Sequence, residues 1–191
     1  MTDLRAEIQS TLARLWQGDA QAETVLAQES LWDLAWPVNQ LSGRAAILQG
    51  YIAPLRAAFD GLHRRDILFL GGGNTRPQGG HRCACVTHYV GTFTAPLFGL
   101  APSGKMAWLR AGEFYRIEDG QIVEAKIIFD LPDLMRQAGR MPLPSLGTEL
   151  TFPAPATQDG LLPVGGDRSE ERRAGTECRS RGSPHHVKKN Y

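Results

Sequence analysis

Residues 105–130 read KMAWLRAGEFYRIEDGQIVEAKIIFD. Two alternating apolar–polar runs flank Glu118-Asp119-Gly120, and Asp-Gly between such runs is a strong signal for a tight hairpin. The first run predicts a strand over Lys105 to Ile117 and the second a strand over Gln121 to Asp130. Alternation puts Leu109, Ala111, Glu113 and Tyr115 on one strand face, and Trp108, Arg110, Gly112, Phe114 and Arg116 on the other. A carboxylate, Glu113, therefore sits in mid-strand among apolar neighbours.

Upstream, residues 81–93 form another strand pattern, with Gly91 marking a bulge or bend. A loop holding Pro96, Gly99, Pro102, Ser103 and Gly104 joins it to the hairpin. Before it, Ile67-Leu68-Phe69-Leu70 reads as a shorter strand, and Gly71-Gly72-Gly73 as a flexible turn. Further back the period changes to that of a helix. Leu4, Ile8, Leu12, Leu15 and Trp16 predict a helix over Asp3 to Gln17, with Gly18 as its stop. A short helix is expected from Asp19 to about Gln28, then an extended Trp32 to Val38, since a proline disfavours helix in the residue before it. A third helix begins at Ser42 or Gly43, with Pro54 as a kink or early end. After the hairpin, Pro132 opens a short helix over Asp133 to Ala138 that Gly139 ends. Helices first and an antiparallel meander afterwards is the order of an α+β fold with helices on one sheet face.

The totals narrow the function. In 191 residues the net charge is +1, with 42% apolar and 21% charged residues, so a core is affordable and no strongly charged partner is called for. No apolar run approaches the ~18 residues of a spanning helix, and the start lacks the order of a signal peptide. The expectation is a cytoplasmic protein that binds neither nucleic acid nor membrane. Cys83 and Cys85 lie on one strand face without further metal-spaced ligands, and read as small buried residues. The glycine runs lack the spacing of a phosphate loop. Residues 141–166 read as an extended arm or linker, and residues 167–191 as a disordered tail. That tail holds seven Lys/Arg and four Asp/Glu but no Leu, Ile, Phe or Trp. Its sequence also resembles translated vector-derived sequence, in which case it is not native.

Four pieces occur in order: Leu41-Ser42-Gly43-Arg44-Ala45-Ala46-Ile47, Gly99-Leu100-Ala101-Pro102-Ser103-Gly104, Arg116-Ile117-Glu118-Asp119-Gly120-Gln121-Ile122-Val123-Glu124, and Arg136-Gln137-Ala138-Gly139. Together they resemble the SnoaL-like polyketide cyclases, or ester cyclases, of the nuclear-transport-factor-2-like superfamily, over residues 1–140. The resemblance implies a cone-shaped α+β barrel: a bent antiparallel sheet wrapped on N-terminal helices, with a pocket at the open end. It also implies ring closure by intramolecular aldol chemistry without metal or organic cofactor, with an aspartate as acid/base, although other members bind ligands without chemistry. Some longer relatives carry two such domains, which would place a second one after the arm. Sheets of this superfamily often dimerise, so a homodimer is expected.

Acid/base work in an apolar pocket needs a carboxylate or imidazole whose pKa burial has moved. Glu113 fits, and in the resemblance it stands where the cyclases have a pocket histidine; the alternative is a Glu paired across strands with an arginine. Aligned on Arg136-Gln137-Ala138-Gly139, the cyclases' aspartate falls at Ile127, which cannot move a proton. Asp130 either turns toward the pocket or caps the helix at Pro132. His88 and Tyr89 are the groups that would polarise a carbonyl, or they fill core and surface. Trp36, Tyr51, Leu109, Tyr115 and Ile127 are the expected pocket wall. Two functions follow: proton transfer on a small apolar carbonyl-containing molecule, or ligand binding or dimerisation without chemistry.

Overall fold

The computed structural model describes residues 4–73, 79–142 and 144. Helix α1 (Leu4–Gln17) buries Ile8, Leu12, Leu15 and Trp16 as its spacing predicts. The short helix expected next is a 3₁₀ turn, Ala20–Val25, with Asp19 accepting the Gln21 N–H at 2.9 Å. It ends early because strand β1 (Leu26–Leu34) starts there, alternating from Ser30 between buried Ser30, Trp32 and Leu34 and exposed Leu31 and Asp33. The extended stretch read at Trp32 thus begins six residues sooner. A short strand β2 (Gln40–Ser42) folds back on β1.

The third helix runs in three pieces: α2 (Arg44–Ile47), a π turn over Leu48–Ile52, and α3 (Ala53–Ala58). The helix does not end at Pro54 but runs on to Ala58. The π turn comes just before Pro54, which takes a first-turn position of α3 where its missing N–H costs least.

Four long strands follow: β3 (Phe59–Gly73), β4 (His81–Phe93), β5 (Met106–Glu118) and β6 (Gln121–Phe129). Strand β3 is far longer than its apolar centre suggests, and Gly71 to Gly73 pair with Cys83, Arg82 and His81 rather than forming a turn. Opposite Gly91 the pairing shifts between Asp60 and His63, which meets the expected bend. Asp119 and Gly120 both have positive φ, 49° and 74°, the two left-handed positions of the hairpin turn. The six strands make one curved sheet in the order β2-β1-β6-β5-β4-β3. It is mixed rather than purely antiparallel, because β1 lies parallel to β6. Its concave face and the helices enclose the core.

Helix α4 (Leu131–Gln137) closes the domain. Pairing of β5 with β6 begins only at Ala111, leaving the first residues of β5 without a neighbouring strand on that side. Gln137 fills part of the gap. Its Oε1 accepts the Trp108 N–H at 3.0 Å and its Nε2 donates to the Trp108 carbonyl at 2.9 Å. The amide takes the place of a strand neighbour, which gives the Arg136-Gln137-Ala138-Gly139 piece a structural reason. Among the described residues no helix is long and apolar enough to cross a membrane. Apart from Met141, Pro142 and Pro144, the expected arm and tail lie outside the described residues.

Replacing Gln137 by alanine removes two exposed backbone contacts, each worth about 0.5–1.5 kcal/mol net. Urea unfolding of Gln137→Ala should show a loss of about 1–2 kcal/mol with an unchanged slope.

Candidate active site

Among the described residues the concave sheet face gathers a polar cluster around Glu113, with Ser30 and Thr87 also buried. Glu113 on β5 is fully buried. Alternation within β5 aims it inward together with Leu109, Ala111 and Tyr115. The neighbouring strand aims Cys85 and Tyr89 at the same spot, since both are inward-facing positions of β4.

Four donors meet this carboxylate. Arg64 on β3 lies 2.7 Å away through Nη1, and its side chain is only 1% exposed. The Tyr89 hydroxyl donates to Oε1 in a short hydrogen bond. The Tyr115 hydroxyl donates to Oε2 at 2.5 Å, and the Cys85 thiol approaches the same oxygen at 3.3 Å. Arg64 also donates to the Tyr89 hydroxyl at 3.1 Å and to Asp66 Oδ1 at 2.8 Å, and Asp66 in turn accepts Gln9 of α1 at 3.1 Å. Every member is held by another, the condition under which a buried polar network is stable.

Burial alone would raise the Glu113 pKa, but the Arg64 charge and the hydrogen bonds from Tyr115, Tyr89 and Arg64 outweigh it and hold the carboxyl below the ordinary range. Burial, and then the Glu113 charge, push Tyr51, Tyr89 and Tyr115 well above the ordinary phenol, so all three stay protonated. The Cys85 thiol is raised for the same two reasons and stays protonated. Burial works against the Arg64 cation, yet Glu113 keeps its pKa well above the free value.

The other expected residues fall in several places. Tyr51, Tyr89, Leu109, Tyr115 and Ile127 are all buried in the interior. Tyr51, on the π turn, meets the Trp16, Trp32 and Phe129 rings at 5.7, 6.2 and 6.0 Å, and its hydroxyl is buried. Ile127 is the direct cross-strand partner of Glu113. Trp36 does not line the interior: it lies in the turn after β1 and is 74% exposed. His88 faces away from Glu113, because the two-residue period of β4 turns it outward where Tyr89 turns inward. Burial and the Arg110 and Arg65 charges lower its pKa. Asp130 caps α4, accepting the Asp133 N–H at 3.1 Å, and lies 3.9 Å from Arg110.

Arg64 was not legible as a site residue. Arg64 and Phe69 both face inward although five residues separate them, which strict alternation forbids. A register shift between Asp66 and Leu68 reconciles them. Among the described residues no three His, Cys, Asp or Glu side chains converge as a metal site. Two open depressions mark the surface. One, of about 480 Å³, is lined by Trp16, Arg56, Phe59, Asp60 and Thr94, among others; the other, of about 500 Å³, is lined by Arg82, Arg116, Glu124 and Lys126. Glu113 lines neither.

Residues 78–138, which contain β4, β5, Glu113 and Ile127, match the family model for the SnoaL-like polyketide cyclases. Over that stretch the chain is similar to this family. Solved structures share its fold. A protein from Jannaschia sp. CCS1, described as a candidate SnoaL-like polyketide cyclase, is 16% identical with a TM-score of 0.54, covering 75% of this chain and 98% of that one. IdmH of Streptomyces antibioticus, described as a candidate polyketide cyclase, is 19% identical with a TM-score of 0.56, covering 71% and 98%. A protein of ketosteroid isomerase-like fold from Catenulispora acidiphila, solved with trimethylamine, is 15% identical with a TM-score of 0.51, covering 70% and 92%. At these identities the chain shares a fold with them and nothing finer. No curated protein matches the sequence.

Because the folded Glu113 pKa lies below the free value of 4.5, its contribution to stability is complete above that value and is lost as pH falls through the folded pKa. Glu113→Gln should be less stable at pH 7 by about 3–5 kcal/mol, since it leaves Arg64 buried without its counter-charge. Urea unfolding from pH 7 down to pH 3 should show the wild type losing part of this advantage below about pH 4.5, and the variant lacking that component.

Proposed function

We propose that this protein transfers a proton on a small carbonyl compound, with Glu113 as the base. The observation that supports this most is the pairing of Glu113 with Ile127. Cross-strand partners hold their Cβ atoms about 4.5–5.5 Å apart. The carboxylate missing at Ile127 is thus supplied one strand away, on the same concave face. Glu113 has the arginine partner that was the alternative reading of it, Arg64 at 2.7 Å, and in this proposal that pairing holds the base ionised. Asp130 and His88, turned to a helix cap and to the outer face, take no part. Clusters of buried titratable groups with displaced pKa values gather at functional sites. A purely structural core gains little from an ion pair that apolar residues of equal volume could replace.

The arrangement suits enolate chemistry. Ionised Glu113 takes a proton from the carbon next to a carbonyl: the C–H bond breaks, an O–H bond forms on Glu113, and the electron pair moves to the carbonyl oxygen. As Glu113 becomes neutral, its hold on Arg64, Tyr89 and Tyr115 weakens, and these donors can turn to the enolate oxygen. The negative charge moves a few ångströms while its partners stay within reach, so little reorganisation is needed. The enolate carbon then attacks a second carbonyl of the same molecule, and Glu113 returns its proton to the alkoxide formed. Leu109, Ile127, Trp32 and Phe129 provide an apolar wall.

Heptane-2,6-dione, which closes to a six-membered ring by this route, is a direct probe. Incubated in D₂O, it should take up deuterium and cyclise faster with the wild type than in buffer. Glu113→Gln should slow both by a factor of about 10² or more, the usual worth of a positioned base. Equal rates for the two proteins would contradict the proposal.

A second part of the reading concerns partners. The outer sheet face exposes Met106 (75%), Ile128 (68%) and Phe114 (54%), with Leu31 and Trp108 beside them. Charges of both signs surround this patch: Asp33 with Lys126 at 3.9 Å, and Arg116 with Glu124 at 3.0 Å. An apolar centre with a mixed charged rim can meet its own copy across a two-fold axis, each cation facing the other copy's acid. Sedimentation should give a dimer for the wild type and a monomer for Phe114→Asp with an unchanged circular dichroism spectrum. A monomeric wild type at micromolar concentration would refute the pairing.

A further inference from the structure

Glu113 and Tyr89 are both fully buried, so a molecule that reacts there needs a way in. The Trp16 side chain touches both the cluster and an open depression. The Trp16 ring packs on the Tyr89 ring with centroids 4.4 Å apart, and Trp16 also lines the open depression of about 480 Å³. We infer that this depression is the mouth of the interior site and that the Trp16 indole is the partition between them. The inference rests on the small-molecule reading of the Glu113 cluster given above.

The surroundings of Trp16 suit that task. It lies in the last turn of α1, one residue before the helix ends at Gln17. Gly18 follows with φ +91°, its N–H donating to the Leu15 carbonyl at 3.1 Å, and the Asp19 N–H returns to Arg14 at 3.1 Å. This is a glycine-ended helix, where the backbone can pivot without passing a Cβ. The Arg56 guanidinium lies directly on Gly18, so close that an added Cβ would fall 2.1 Å from Nη2. A cation there also meets the negative end of α1. Arg56 is exposed, so it can fasten the Trp16 turn in the closed form and swing aside without leaving a buried charge behind.

The lining indicates what enters. Trp16 and Phe59 form an apolar floor, while Gln17, Thr94, Asp60 and Arg56 supply hydrogen-bonding groups of both kinds at the rim. A volume of about 480 Å³ takes a molecule one or two rings broad, within the usual range of ligand pockets. That suits a small molecule with an apolar body and oxygen functions that can meet the rim groups.

Cys85 offers an internal reporter, because its thiol lies on the Oε2 side of Glu113, and Cys83 on the same strand serves as the control. Native protein would be treated with methyl methanethiosulfonate, and labelling of each cysteine followed by peptide mass spectrometry. Trp16→Ala should speed labelling of Cys85 by about tenfold or more while Cys83 stays as slow as in the wild type, the pattern of a local rather than a global opening. Trp16→Phe, which keeps a ring in place, should fall between the two. An unchanged Cys85 rate in Trp16→Ala would overturn the inference, and so would equal acceleration of both cysteines. Labelling requires no chemistry at Glu113. Faster labelling with no deuterium exchange would therefore refute the reaction alone, and exchange without faster labelling would refute the mouth alone.

Discussion

Taking a carboxylate and a guanidinium out of water costs several kcal/mol for each ion, and their attraction offsets this only when geometry and additional hydrogen bonds are good. The contact between Arg64 and Glu113, at 2.7 Å with both side chains essentially buried, is under that constraint. Much of the surrounding structure can be understood as meeting it. Tyr89 and Tyr115 occupy the remaining lone pairs of Glu113, Asp66 takes the far side of Arg64, and Gln9 ties Asp66 to α1. Three strands and a helix are thereby joined through one buried charge pair. Kept ionised, the Glu113 carboxylate can accept a proton but has none to give at neutral pH.

Much of the fold was legible because its signals are local. The Asp119-Gly120 turn, the strict alternation of β4 and β5, and the helical spacing of Ile8, Leu12, Leu15 and Trp16 each depend on a few neighbouring residues. What escaped depends on distant pairing. Strand β1 was read partly as helix because its first residues lack alternation, and it becomes a strand by lying parallel to β6, almost a hundred residues away. Residues 71–73 look like a turn until β4 is placed beside them.

The site divides the same way. Strand parity put Glu113 and Tyr115 on one face and set His88 and Tyr89 on opposite faces, but which of those two turned inward needed the neighbouring strands. Parity did not reveal Arg64, because the register shift after Asp66 breaks the alternation that would have placed it. Trp36 was expected inside on the strength of its aromatic ring, yet an aromatic ring in a turn has no wall to join. Asp130 had two readings, and the Asp133 N–H, left without a partner in the first turn of α4, draws it to the cap.

Arg64 keeps Glu113 ionised inside the protein. Carbon-13 labelling of the glutamate side chains, with the Glu113 carboxyl signal assigned by its absence in Glu113→Gln, permits a direct titration by NMR. The account requires the shift of a carboxylate throughout the neutral range, with a midpoint below 4.5. A midpoint above that value, or the signal of a neutral acid at pH 6, would contradict it.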